Sequence, residues 1–278
     1  MKFFALRRMT FVLGVVVLLG ASMAQAEYRG DPSALMKRPQ PLGAPMFVVV
    51  STQDQFEVGA VPLSPGVGFG ATAIFNMGGD KLLVPLQLKL GNGSFRENLE
   101  TAVQNLDPEI FGDLPRVVPD AKAAPEGALV LLLNSKPIIA RKYQTLFVLL
   151  EAIVCERRAS AKEGCEPLYA NAYFYEFGLP IGSPKVVRKS KRAEIWESLP
   201  DGKLRGMIVE GIAGAVDLLN LDFRHLGRKE SSKSRVRHSM PNDLVESLRF
   251  VSEEGDRRVL RLRELGPLFS VETRIPAP

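Results

Sequence analysis

Few residue patterns in this chain have the spacing that catalytic chemistry requires. Serine precedes lysine by two positions at Ser160 and Lys162 and again at Ser183 and Lys185, but both pairs lie in polar stretches where such spacing arises by chance. The nucleophile pattern Gly-x-Ser-x-Gly does not occur in the sequence. The sequence therefore predicts no serine hydrolase site.

Two acidic residues, Glu151 and Glu176, interrupt apolar segments that we predict to be neighbouring strands of a hairpin. If the two carboxyl groups meet, each raises the pKa of the other, and the pair is suited to acid-base catalysis. Alternatively, each carboxylate faces solvent on the polar side of a half-exposed sheet. We favour the second interpretation. A periplasmic hydrolase whose site is assembled from scattered acids or from a serine–lysine pair remains the alternative, and a small-molecule binding protein is a third hypothesis.

Metal and cofactor sites are not predicted. The two histidines, His225 and His238, lie 13 residues apart in a basic segment that repels cations. The glycine-rich stretch 62–79 lacks the lysine and the following helix of a phosphate-binding loop. Turns are the expected role of these glycines.

The only two cysteines, Cys155 and Cys165, flank nine residues. Two thiols without a nearby histidine cannot complete a zinc site, and their spacing differs from the redox pattern Cys-x-x-Cys. In an oxidising compartment a pair this close predicts a local disulfide that pins the loop between two strands.

A basic segment spans residues 224–238, with six basic residues and one acid, Glu230. It has no apolar period, so we expect a flexible loop or linker over 224–240. Exposed charge runs are usually solvated, but this one is also the best candidate for contact with an anionic partner. The six candidate residues are Arg224, Arg228, Lys229, Lys233, Arg235 and Arg237.

The first 26 residues predict an export signal. Lys2, Arg7 and Arg8 precede an apolar run over 11–21, and Ala24-Gln25-Ala26 matches a signal-peptidase site, so we expect cleavage before Glu27. The adjacent arginines leave both the general and the twin-arginine export routes open. We expect a periplasmic protein without an integral membrane segment.

Charge argues against nucleic acid as a partner. The signal removes three of the 36 basic residues and none of the 31 acidic ones, which leaves a net charge of +2 on the exported chain. Domains that bind nucleic acids are usually much more basic than this.

Periodicity predicts an α+β fold, with a mainly antiparallel or mixed sheet and two principal amphipathic helices packed on one side. A capping box at Ser94 and Glu97 opens the first of these helices, and Asp201 caps the second, which runs to about residue 220 and contains three glycines suited to close packing against a sheet. The predicted strands are 46–50, 56–61, 81–90, 128–133, 144–155, 168–177, a hairpin over 246–264 and 268–275, and a short helix over 191–199 contains the only tryptophan.

We therefore expect an extended proline-rich lead-in over 27–45, a main α+β domain over 46–223, the basic segment, and a C-terminal β segment over 241–278. The expected function is that of a non-enzymatic accessory or binding protein of the cell envelope. Its partner would be an envelope protein or an anionic membrane surface.

Overall fold

A computed structural model describes residues 35, 46–58, 83–91, 93–112, 115–140, 143–161, 164–179, 188–226, 234–239, 245–262 and 267–272. The predicted signal and lead-in, and the glycine-rich stretch, lie almost wholly outside the described residues. The strands are β1 (Phe47–Thr52), β2 (Glu57–Val58), β3 (Arg116–Val117), β4 (Leu129–Ile139), β5 (Thr145–Arg157), β6 (Cys165–Gly178), β7 (Arg235–Ser239), β8 (Val245–Glu254), β9 (Arg257–Arg261) and β10 (Leu268–Glu272). The helices are α1 (Leu83–Leu90), α2 (Arg96–Val103), α3 (Pro108–Phe111), α4 (Lys189–Glu197) and α5 (Lys203–His225), with a 3-10 turn at Ala121–Ala123.

The ten strands found among the described residues belong to one mixed sheet. Their order is β3-β1-β4-β5-β6-β10-β9-β8-β7, and β2 pairs with β4 beside this path. The pairs β1–β4 and β6–β10 are parallel, whereas β4–β5–β6 and β7–β8–β9–β10 are antiparallel meanders. The prediction of a mixed sheet accompanied by few helices is confirmed.

Helix α5 lies against one face of the sheet, where it contacts β5, β6 and β10, and α2 contacts both α5 and β1. The predicted apolar stripe of α5 is buried at all seven positions: Leu204, Met207, Ile208, Ile212, Ala215, Val216 and Leu219. The predicted close packing is confirmed at two glycines, because a Cβ on Gly211 would overlap Val148 and one on Gly214 would overlap the Tyr175 ring. A Cβ on Gly206 would meet open space.

The far end of the sheet curls over the face opposite α5. Strands β6 and β7 are four positions apart in the sheet, about 19 Å if it were flat. Yet His238 on β7 lies 2.7 Å from Glu176 on β6. A second core cluster fills this curl, and it includes Phe147, Phe174, Leu248, Leu260 and Phe269.

The segment predicted as a strand over 81–90 is helix α1 from Leu83 onward, so that prediction was wrong. Alternating leucines suggested a strand with one buried face. Among the side chains that the structure describes here, Leu86 and Leu90, one helical turn apart, are buried, whereas Val84 and Leu88 are 59% and 77% exposed. Pro85 lies in the first turn of the helix, where its missing N–H group costs nothing.

The predicted helix starts were also displaced. Helix α2 begins at Arg96 with Phe95 in the N-cap position and no side-chain cap, and Ser94 Oγ instead accepts a hydrogen bond from the backbone N–H of Arg96. Gly202, with φ of 77°, takes the cap position of α5 that the sequence assigned to Asp201. Local backbone geometry at these starts decided which residue stands at the cap.

Candidate functional site

The carboxylates of Glu151 and Glu176, which the sequence suggested as a candidate acid-base pair, lie apart in the structure. Glu151 stands opposite Ala172, and Glu176 stands opposite Phe147, four residues further along the same two strands. At about 3.3 Å per residue, the two side chains start roughly 13 Å apart. They share a face of the sheet but do not form a common acid-base site.

Glu151 has partners of its own on that face. Asn134 Nδ2 donates to Glu151 Oε2 over 2.9 Å, and Lys136 Nζ lies 3.8 Å from Glu151 Oε1. Only 13% of the Glu151 side chain and 8% of the Lys136 side chain are exposed. The carboxylate therefore does not face solvent freely, as our favoured interpretation expected, but is held in a mostly buried ion pair.

Glu176 pairs with His238 inside the curl of the sheet. Glu176 Oε2 and His238 Nε2 are 2.7 Å apart, and each side chain is 15% exposed. The Phe269 ring lies beside the imidazole, with 6.2 Å between ring centroids. Sequence reasoning assigned His238 to a loop and missed this contact, which attaches β7 to β6.

A larger polar cluster is buried between α5 and the sheet, and sequence reasoning missed it. Asp222 Oδ2 accepts hydrogen bonds from Tyr169 and Tyr173, over 2.6 and 2.8 Å, and from Asn171 Nδ2 over 2.8 Å. Arg261 Nη1 donates to Asp222 Oδ1 over 2.8 Å. Two features of the sequence could have indicated this cluster: Asp222 lies beside the apolar stripe of a helix, and polar groups recur at alternate positions of β6, at Tyr169, Asn171 and Tyr173.

Burial is the main cause that raises the pKa of Tyr169 and of Tyr173 well above 10, and the negative charge of Asp222 raises both further. Both hydroxyls therefore stay protonated and donate to the carboxylate. The side chains of Asp222 and Arg261 are 1% and 3% exposed, so no open surface adjoins the pair. This arrangement joins α5 to β6 and β9 and offers no surface to a ligand.

The predicted disulfide is confirmed. Cys155, near the end of β5, is bonded to Cys165, the first residue of β6, with 5.6 Å between the Cα atoms. The bond pins the β5–β6 hairpin near its turn. A 3-10 turn and part of β4 pack beside it in a third apolar cluster that contains Ala121 and Val130.

The basic segment is not a continuous loop, which corrects its predicted boundaries. Arg224 lies in the last turn of α5, and its Nε bonds Asp107 Oδ2 over 2.7 Å. Arg235 and Arg237 lie on strand β7. The remaining three candidates, Arg228, Lys229 and Lys233, fall outside the described residues. Because this basic segment has no apolar period, the sequence did not indicate that it contains the end of helix α5 and the short strand β7.

Strand β7 divides its side chains between two faces. Val236 and His238 point into the curl, where Val236 packs on the second core cluster. Arg235 and Arg237 are exposed on the opposite face. No ion pair joins either arginine to another side chain that the structure describes, and we define Arg235 and Arg237 as the basic face of β7, the candidate functional site.

Within the described part of the chain, no group of three or more His, Cys, Asp or Glu residues is placed to hold a metal ion. None of the described helices is both long and apolar enough to cross a membrane. No protein-family model matches this sequence, and no curated protein is significantly similar to it. The function of this chain must therefore be inferred from its own residues.

Proposed function

We propose that this chain is an exported, non-enzymatic binding protein of the bacterial periplasm that engages an anionic partner through the basic face of β7. The observation that carries the proposal is the pair of exposed arginines, Arg235 and Arg237, on the same face of β7, the strand at one end of the sheet. Neighbours on one face of a strand are about 7 Å apart, so the two guanidinium groups can act on one partner together.

The distribution of charge supports this proposal. Residues 224–278 contain 12 basic and 8 acidic residues, a net charge of +4. The exported chain as a whole has a net charge of only +2, so residues 27–223 are slightly acidic. Arg224 and Arg261 pair with Asp107 and Asp222, which lie outside this range, but the other basic residues of 224–278 still outnumber its acids and favour association with an anionic partner.

Export is part of the same proposal. The predicted signal at residues 1–26 supports it, and so does the disulfide, because such bonds form and persist in oxidising compartments. The alternative of a hydrolase built on Glu151 and Glu176 has no support in the geometry, because each carboxylate has its own partner and the two lie far apart.

The test replaces both arginines with serine in the exported chain. Each basic residue near an anionic surface contributes up to about 1 kcal/mol at low salt, so the R235S/R237S variant should bind roughly 30-fold more weakly. Binding is measured by sedimentation with phosphatidylglycerol vesicles and by titration with polyglutamate. Raising the salt concentration should weaken wild-type binding to both probes.

A matched control removes the same charge elsewhere. Arg116 and Lys203 are exposed on other elements, and the R116S/K203S variant changes the net charge equally. This control should bind nearly as well as the wild type. If both double variants lose the same affinity, net charge alone determines binding and the basic face of β7 has no special role.

A further inference from the structure

The hydrogen-bond pattern of β7 shows which backbone groups face its outer edge. Strand β7 pairs antiparallel with β8, with Arg235 opposite Arg249 and Val236 opposite Leu248. Just before the strand, the backbone N–H of Phe250 donates to the carbonyl of Ser234 over 3.0 Å. Hydrogen-bonded and non-hydrogen-bonded pairs alternate along an antiparallel ladder. The N–H and C=O groups of Arg235 and Arg237 therefore point away from β8.

This outer edge has no neighbouring strand among the described residues, because β7 ends the strand order and pairs with β8 alone. The same two residues thus present unpaired backbone groups at the edge and positive side chains on the exposed face. The strand is held in place from behind, where Val236 packs on the second core cluster and His238 contacts Glu176. Such an edge is a template for another strand.

We infer that the outer edge of β7 binds an extended segment of a partner polypeptide that carries acidic side chains at alternate positions. This inference rests on the proposed function and identifies the partner as an acidic polypeptide. In an added antiparallel strand, the residues opposite Arg235 and Arg237 form hydrogen-bonded pairs, about 5.5 Å away between Cα atoms and on the same face as the arginines. The residue between them faces the apolar interior of the curl, so it should be apolar.

Charge complementarity disfavours the other occupants of this edge. A second copy of β7 would bring its own arginines opposite Arg235 and Arg237, and like charges directly opposite one another destabilise a strand pair. Charged residues on edge strands often serve only to prevent such association. A lipid headgroup could meet the guanidinium groups, but it would leave the backbone groups of the edge unpaired.

The first experiment compares two synthetic peptides on the full exported chain by fluorescence anisotropy. One has the alternating sequence Glu-Val-Glu-Val-Glu between polar ends, and the other is identical but N-methylated at the three glutamates. Methylation removes the N–H groups needed for strand addition and leaves the charge unchanged. We expect the unmodified peptide to bind and the methylated peptide to bind at least about tenfold more weakly.

The second experiment compares two variants at one position. Arg237→Gln removes the charge and keeps the edge N–H group, whereas Arg237→Pro removes both and leaves the hydrogen bonds to β8 in place. Proline is tolerated on an edge strand when its nitrogen faces outward. R237P should bind the unmodified peptide roughly tenfold more weakly than R237Q. Thermal unfolding of both variants checks that the fold is retained.

The outcomes separate this inference from the proposed function. Weaker binding of the methylated peptide to the wild-type chain supports strand addition whether or not the proline variant folds. Equal binding of the two peptides overturns it. If phosphatidylglycerol vesicles bind and neither peptide does, strand addition is wrong while the proposed function stands. If neither the peptides nor the vesicles bind, both proposals fail.

Discussion

Replacing Asp222 with asparagine should destabilise the protein more than any surface change. The carboxylate neutralises Arg261, whose side chain is 3% exposed, and it accepts hydrogen bonds from three further side chains. Asparagine occupies nearly the same volume but leaves the guanidinium group as an uncompensated buried charge. It also turns an N–H₂ group toward donors that need an acceptor.

Breaking a buried ion pair by removing one partner typically costs about 3–5 kcal/mol. Because the free energy of unfolding of most domains is about 5–15 kcal/mol, D222N should lose at least about a fifth of a typical stability. The assay is urea unfolding of the protein, followed by the fluorescence of Trp196. This residue is the only tryptophan, is fully buried, and donates through Nε1 to the carbonyl oxygen of Tyr143, so its emission reports loss of the core.

Three further variants, D201N, R261M and D222N/R261M, show whether loss of the Asp222–Arg261 ion pair causes the destabilisation. Replacing Asp201, an exposed aspartate before α5, with asparagine should change the stability by less than about 0.5 kcal/mol. The double variant D222N/R261M removes both charges, and it should cost at least about 1 kcal/mol less than the sum of the two single changes. The ion pair is not a main source of stability if the free energy of unfolding of D222N lies within about 1 kcal/mol of the wild type, or if the effects of D222N and R261M simply add.

Two further predictions concern the tyrosines that contact Asp222 and the glycines of helix α5. Because burial and Asp222 raise the pKa of Tyr169 and Tyr173 above the unfolded value of 10, the stability that these two hydroxyls contribute should be constant below pH 10 and fall at higher pH, by up to about 1.4 kcal/mol per pH unit for each tyrosine. Urea midpoints between about pH 8 and pH 11 should fall less steeply in Y173F, and an unchanged slope would contradict this cause. Gly214→Ala should cost about 1–3 kcal/mol, because the new Cβ overlaps the Tyr175 ring, whereas Gly206→Ala has open space and should stabilise the helix by up to about 1 kcal/mol. Thermal unfolding compares the two variants, and equal effects would show that the ring does not limit the packing at Gly214.

Local patterns in the sequence were sufficient for the central strands, the long helix and the disulfide. The hairpin β5–β6 is recognisable from runs of β-branched and aromatic residues, and the apolar stripe of α5 repeats at helical spacing. Cys155 and Cys165 are close enough in the chain that a tight connection between two strands brings them together. In each case the determining residues are neighbours in sequence, so the physical constraint can be read without knowing the rest of the fold.

The order of the strands, the curl of the sheet and the polar contacts were decided only by the tertiary structure. Asp222 and Arg261 are 39 residues apart, and Asp222 and Tyr169 are 53 apart, so no local periodicity can pair them. A charge run likewise cannot reveal that Arg235 and Arg237 share the exposed face of an edge strand while His238 turns inward to Glu176. These placements depend on which apolar faces pack together. Burial of the second core cluster brings strands β7 to β9 over the face of the sheet. Strand β7 then lies at the end of the strand order, with its outer edge facing away from β8.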